Sequence, residues 1–290
     1  MAITTKLPKR IGVDLHIHTQ ASDGQWTPES LIETAVERGV QIISVTDHDT
    51  VKNVKAVESK AKAAGLDFIT GVEVTVDWKG AVYHLLLFGL DPDNTELLAM
   101  LEDTQRRQWN KRQRMIDGLK SKGYNLNALA AVDYPGGGHS PVFELSRALL
   151  HGGEVESFSQ ARALCREVDV DGPITQSVKL ALAVGLAAGA IPVLAHPGRG
   201  GSEISAAPNE VLEEMVQMGL KGVEVYHYTH TPEMVERLMK FARKHDLLIS
   251  CGSDSHDEVR GPKAWHPELC RSLLEHLGLE DSYNTLPLAA

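Results

Sequence analysis

Apolar residues recur along this chain with two periods, and the positions where the period changes divide it into elements. Val13, Leu15 and Ile17 alternate with Asp14, His16 and His18, a period of two that predicts a strand over residues 12–19 with its polar set on one face. A helical period then covers residues 28–38, with Thr27 placed to cap it, Pro28 at its first position, Glu29 and Ser30 in its first turn, and Gly39 to stop it. Ile42, Ile43 and Val45 predict a short buried strand over 41–46 that ends in Thr46-Asp47-His48-Asp49. A helix over 51–64 stops at Gly65, and two more strands are expected over 67–76, carrying Glu73, and 81–89, carrying His84. Strands that read as apolar runs and alternate with helices indicate a parallel α/β architecture.

The rhythm breaks after Asp91-Pro92-Asp93. Only helical patterns follow: a long one over 95–122 stopped by Gly123, then shorter ones over 125–132, 142–150 and 157–167, with the Gly136-Gly137-Gly138 loop among them. From residue 174 the alternation resumes, with strands at 191–195, 222–226 and 247–251 and helices at 174–188, 209–218, 232–244 and 267–277. The expected organisation is a discontinuous α/β body, residues 1–91 and 174–290, with an all-helical insertion over its mouth at 92–173. The uncharged stretch from Leu180 to Ala195 contains Gly185, Gly189 and Pro192 and is too short for a membrane span. It reads as a buried helix running into a buried strand.

Polar residues able to bind metal collect where these strands begin and end. They are His16, His18, Asp23, His48, Glu73, His84, His196, Asp254 and His256: six imidazoles, three carboxylates and no thiolate. An imidazole is costly to bury without a partner, and a shared metal ion is the usual partner. Donors of this kind suit Mn²⁺, Fe²⁺ or Zn²⁺, and nine are too many for one ion. Two or three divalent ions, bridged by a carboxylate, would use them. Each motif alone is weak, because a lone His-x-His arises by chance and an isolated His84 in an apolar strand can be a satisfied core histidine. Their joint occurrence at successive strand ends is the signal.

Composition sharpens this. Hydrophobic residues at 42% and charged residues at 23% are ordinary for a globular protein, whereas 13 histidines in 290 residues are many. A formal charge of −10 argues against a long nucleic acid held through its phosphates, but not against a small anion held by metal. Cys165, Cys251 and Cys270 are scattered, so neither a disulfide framework nor a thiolate zinc site is expected, and a reducing compartment fits. With basic residues but no apolar run in residues 1–9, no signal peptide is read, and the expected location is cytoplasmic, away from membranes.

The motifs together resemble the PHP (polymerase and histidinol phosphatase) family of metal-dependent phosphoesterases. The resemblance rests on Asp14-Leu15-His16-Ile17-His18-Thr19 with Ser22-Asp23-Gly24, on Thr46-Asp47-His48-Asp49, on Gly71-Val72-Glu73, and on Gly252-Ser253-Asp254-Ser255-His256. Ala195-His196-Pro197-Gly198-Arg199 and Val223-Glu224-Val225-Tyr226 add to it. It implies a distorted (β/α)7 barrel with the ions at its C-terminal mouth. By the same resemblance His16, His18, Glu73 and Asp254 would hold one ion, and Glu73 would bridge to a second held by His84 and His196. Asp23, His48 and His256 would hold the third. The layout is further similar to the branch acting on nucleoside 3′,5′-bisphosphates and 5′ ends of short RNA. That branch carries a Gly-Arg-Pro-His-x-Ala-Arg-like segment in its insertion. Here Glu144 stands where its histidine is expected, and Arg147 is retained; a carboxylate beside a phosphate pocket would repel an anionic substrate.

The expected reaction is hydrolysis of a phosphomonoester of a nucleotide or similar small phosphate, with a hydroxide bridging two ions as nucleophile. No Ser or Cys nucleophile is needed, and Gly136–Gly138 lacks the Lys-Ser/Thr of a P-loop. Arg199 is the candidate phosphate clamp, His230 the candidate proton donor to the leaving oxygen, and Arg147 and His139, with Tyr134, candidate substrate contacts. Asp14 and Asp47 are expected to orient ligand imidazoles. Arg106, Arg107, Lys111, Arg112 and Arg114 form a basic run that either draws substrate to the mouth or is a solvated helix face, with Trp109 packing down. Two other readings compete: an amidohydrolase-like metal hydrolase, which also uses His-x-His on a barrel, and a PHP module that binds metal without turnover.

Overall fold

The computed structural model describes residues 12–132, 141–201 and 204–279, so the contacts expected of Tyr134 and His139 lie outside the described residues. The first unit runs β1 (Gly12–Asp14), α1 (Pro28–Glu37), β2 (Val40–Ser44), α2 (Val54–Ala64) and β3 (Asp67–Ile69). Its strands form a parallel sheet in the order β1-β2-β3. At α1, the Thr27 hydroxyl accepts the Ser30 N–H at 3.1 Å and the Ser30 hydroxyl accepts the Thr27 N–H at 3.1 Å. This reciprocal cap, worth about 1 kcal/mol, fixes where the helix starts. Leu31, Ile32 and Ala35 then pack onto Ile43 and Val45.

The second sheet contains β4 (Gly71–Trp78), β5 (Ala81–Phe88), β6 (Gln176–Ser177), β7 (Ile191–Leu194), β8 (Gly222–His227) and β9 (Leu248–Gly252), ordered β6-β4-β5-β7-β8-β9. It is not all-parallel: β5 runs against both β4 and β7. The cause is local. Lys79 and Gly80 both take positive φ, 53° and 81°, the two-residue turn that folds a strand back on its neighbour. The ladders thus make two sheets, and among the described residues they do not join into the distorted (β/α)7 barrel expected. Single bridges run between them, Ile17 to Ser255 and His48 to Glu73. The opening strand is shorter than its pattern suggested, and the 67–76 strand is interrupted at Thr70.

Strand parity places the site. Val72, Val74, Val76, Tyr83, Leu85 and Leu87 face one apolar cluster, shared with α6 (Val178–Ala187), α7 (Asn209–Gln217) and α8 (Pro232–His245). Leu86 and Phe88 face the other, with Val13, Leu15 and Ile42. Glu73 and His84 have the second parity and point between the sheets. Between β5 and β6 lie α3 (Thr95–Ser121), a 3-10 turn at Asn127–Val132, α4 (Pro141–His151) and α5 (Phe158–Val168), with no strand among the described residues. Met115, Leu119, Leu145, Leu149, Ala161 and Cys165 give these helices a core of their own. The last helix, α9 (Arg271–His276), packs Leu273 and Leu274 beneath β9.

Candidate metal centre

Glu73, fully buried, is the hub of the polar floor. Its Oε2 lies 3.2 Å from His16 Nε2, 3.1 Å from His18 Nε2 and 3.2 Å from His48 Nδ1. Its Oε1 lies 3.0 Å from His84 Nδ1 and 3.1 Å from His196 Nε2. Asp254 Oδ1 sits 3.6 Å from His16 Nε2 and 3.3 Å from His18 Nε2. Asp23 Oδ1 reaches His256 Nε2 at 3.2 Å and His18 Nδ1 at 3.5 Å, and its Oδ2 is 3.9 Å from His48. All nine donors expected from the sequence therefore meet. Four overlapping groups have ligand atoms within 4.8 Å of one another: His18/Asp23/His48/His256, His16/Glu73/His196, His16/His18/Asp254 and His48/Glu73/His84.

The donors fit cations better than they fit each other. Close as they lie, His16 Nε2, His18 Nε2, His48 Nδ1, Glu73 Oε2, His196 Nδ1 and His227 Nε2 are all buried without a hydrogen bond of good geometry. Each such atom costs about 1–3 kcal/mol when left unmet, so one fold carrying six in one place points to a ligand that meets them. The electrostatics show carboxylates and imidazoles competing for the same protons, a contest that a cation binding the deprotonated forms would end. Burial would raise Glu73, Asp254 and Asp23, yet the surrounding imidazoles hold all three carboxyls well below their ordinary range. Burial would lower His16, but the Glu73 and Glu224 carboxylates hold it well above the usual imidazole value. At His18 the same contest, against Asp254 and Glu73, ends at about 10. At His48 and His196 burial wins, leaving them at about 3 and about 4. Negative carboxylates stay negative in the interior, as cation ligands require.

Two of the donors hold a strained backbone. His196 and Asp254 sit at φ 29° and 50°, left-handed conformations that cost side-chain-bearing residues about 1–3 kcal/mol. Gly252 permits the packing, since a Cβ there would lie 2.1 Å from that of His16.

Around the donors, two acidic residues behave differently from expectation. Asp14 accepts the backbone N–H groups of Ser253 (2.9 Å) and Lys263 (2.7 Å) and touches no imidazole, so it fastens the β9 loop instead of orienting a ring. Asp47 accepts from the Thr19 N–H and the Ser22 hydroxyl, each at 2.6 Å, and Ser22 in turn lies 3.4 Å from His18 Nδ1. The residue that orients a ring directly is Glu224, which sequence reasoning did not single out. It takes His16 Nδ1 at 3.0 Å and the His196 backbone N–H at 2.7 Å. A carboxylate inside the apolar strand Gly222–His227 was the available signal. His227 was also missed. It is buried, with Nε2 at 3.4 Å from Asp254 Oδ2.

Above the floor opens a cavity of about 1000 Å³, lined on its helical side by Lys111, Arg147, Arg162 and Arg166. Arg199 lines it too and donates to Asp254 Oδ2 at 3.0 Å. The proton donor expected of His230 is not placed to act. Its Nδ1–H donates to the Val225 carbonyl at 2.8 Å and its Nε2 accepts the Gly198 N–H at 3.0 Å, so both nitrogens brace loops. Burial lowers its pKa further. Glu144 does not line the cavity. Arg112 covers it with two hydrogen bonds of 2.8 Å, which removes the repulsion expected of a bare carboxylate. The rest of the basic run is likewise engaged: Arg106 and Arg107 on Asp103, Lys111 on Asp169, Arg114 on Asp171. Trp109 does not pack down; it is 58% exposed, with the Arg112 guanidinium over its ring. Arg112 thereby ties α3 to α4, Lys111 and Arg114 tie it to the segment after α5, and Arg106 and Arg107 pair within α3.

The model of the PHP domain family matches residues 14–169. The 5′-3′ exoribonuclease Rnm of Salmonella typhimurium is 31% identical over 282 residues, covering 94% of this chain and 92% of that protein. The 3′,5′-nucleoside bisphosphate phosphatase of Chromobacterium violaceum is 28% identical over 276 residues, covering 91% and 96%. A crystal structure from Bifidobacterium adolescentis, described as a metal-dependent phosphoesterase, superposes with a TM-score of 0.79 at 29% identity, covering 92% of this chain and 97% of that one.

Proposed function

Because the chain belongs to the PHP domain family, whose members are metal-dependent phosphoester hydrolases, we propose that it removes a phosphate from a nucleotide or similar small phosphomonoester. The observation that carries this is the division of donors across Glu73, with His16, His18 and His48 on one oxygen and His84 and His196 on the other. A carboxylate so placed suits a bridge between ions. His16, His18 and Asp254 would complete one site, His84 and His196 a second, and Asp23, His48 and His256 a third, for two or three Mn, Fe or Zn ions. When bound, such ions neutralise phosphate oxygens and lower the pKa of water at the site.

The chain's own groups do the rest. Glu224 holds His16 by Nδ1 and so aims its Nε2 at the ions. The Asp254 carboxylate keeps Oδ1 toward the donors while Arg199 donates to Oδ2, with His227 Nε2 3.4 Å from it. Arg199 keeps further N–H groups for a phosphate oxygen. The basic helical side of the cavity supports an anionic substrate, and the cavity's size favours a mononucleotide, a nucleoside 3′,5′-bisphosphate or the 5′ end of a short RNA over a long duplex. We read the two sheets as arcs of one distorted (β/α)7 barrel, residues 1–91 and 174–290, with 92–173 inserted over its mouth. Bridges at Ile17 and His48 support this. The free, buried cysteines support a reducing, cytoplasmic setting.

A phosphate-release screen over nucleotides and sugar phosphates with added Mn²⁺ tests the reading. Turnover abolished by chelation is expected. Turnover of cyclic amides in place of phosphate esters would favour the amidohydrolase-like alternative.

A further inference from the structure

A floor made of imidazoles and carboxylates has no need of an apolar lip, yet this cavity has one. Val259 is 96% exposed, Tyr228 41% and Phe143 37%, and all three line it. Tyr228 follows the buried His227 directly, and Arg260 lies four residues beyond His256, so both arise from loops that carry the centre. The guanidinium carbon of Arg260 sits 3.7 Å from the centroid of the Tyr228 ring, the closeness of a stacked pair. The Tyr228 ring also packs on His227, with centroids 4.5 Å apart, which fixes it relative to the centre.

Arg260 differs from the cations of α3. Those are held by Asp103, Glu144, Asp169 and Asp171, whereas the exposed Arg260 guanidinium has no carboxylate partner among the described residues; only its backbone N–H meets one, Asp257 Oδ1, at 3.0 Å. An exposed guanidinium 3.7 Å over a phenol ring leaves its far side to solvent, and a planar π-system is a ligand that side suits. The neighbours choose between a ring and a second phosphate. Val259 is apolar and Asp257, which also lines the cavity and takes the Arg260 backbone N–H on Oδ1, is acidic; both disfavour a second phosphate at this lip.

We propose that the Tyr228–Arg260 pair is the platform on which the substrate's nucleobase stacks, so that the protein prefers nucleotides to phosphate esters without a base. This deepens the phosphoesterase reading and rests on it for the position of the phosphate. Base stacking on such a platform corresponds to about a tenfold or larger change in affinity.

The test compares a nucleoside 5′-monophosphate with ribose 5-phosphate, with Mn²⁺ present, for the parent, Arg260→Ala and Arg260→Lys. Arg260→Ala is expected to raise KM for the nucleotide about tenfold with kcat nearly unchanged, and to leave ribose 5-phosphate within about twofold. Arg260→Lys, which keeps the charge but not the plane, should behave like Arg260→Ala. Full recovery by Lys, or equal losses on both esters, would overturn the platform in favour of plain charge attraction. Should the parent hydrolyse neither ester, the hydrolase reading fails first. The platform is then judged by calorimetric binding of the same two compounds: a nucleotide-specific weakening in Arg260→Ala supports it, and unchanged affinity overturns it.

Discussion

On the floor of the cavity, buried atoms of His16, His18, His48, Glu73, His196 and His227 have no hydrogen bond of good geometry. On α3, the long helix of the wall, every charge of the basic run meets an opposite one, from Arg106 and Arg107 on Asp103 to Arg112 forked on Glu144 and Arg114 on Asp171. The two regions are equally polar in sequence, but only one is satisfied by the fold. Unmet donors mark the place built for something the chain does not contain, and paired charges mark places where the chain holds itself together.

Substitutions can break this contrast. Glu73→Ala removes the shared carboxylate, and kcat/KM should fall by about 10³-fold or more with loss of bound metal, read by steady-state kinetics and elemental analysis. Near-parental turnover would deny the floor its role. Glu224→Ala leaves every proposed ligand in place but frees the His16 ring. Metal affinity is expected to drop about 10- to 100-fold, measured by titration against a competing chelator. Arg112→Ala should act on the other region alone, costing about 1–3 kcal/mol in chemical unfolding because Glu144 is left nearly buried and unpaired, while kcat/KM of the folded protein holds. Glu144→His would then change stability and not the preference for a bisphosphate. The smallest effect is expected of His230→Gln. A lost general acid would cost about 10²–10⁴ in kcat and one limb of the pH profile, whereas a loop brace should cost less than about tenfold with the profile unchanged.

The floor was legible because its donors lie in short segments at strand ends, where alternation alone orients a side chain. Glu73 and His84 needed only parity to be sent between the sheets, and His16 and His18 share a face two residues apart. Glu224 could have been found the same way, as a charge in a buried strand, and His227 as a histidine closing that strand. The wall was less legible because the meaning of Arg112 and Arg114 depends on partners 32 and 57 residues away, Glu144 and Asp171. A row of cations on a helix reads the same whether it faces a substrate or a carboxylate. Trp109 misled for that reason: the helix buries its other faces. The reversal of β5 was visible in principle, since Lys79-Gly80 separates two strands by the two residues of a tight hairpin.

The most direct test of the central claim is elemental analysis of the protein as purified and after equilibration with Mn²⁺, followed by chelation and activity on a phosphomonoester. Two or three ions per chain, with turnover lost on chelation and regained on reloading, is the predicted result. Less than one ion per chain, with hydrolysis indifferent to chelation, would contradict it.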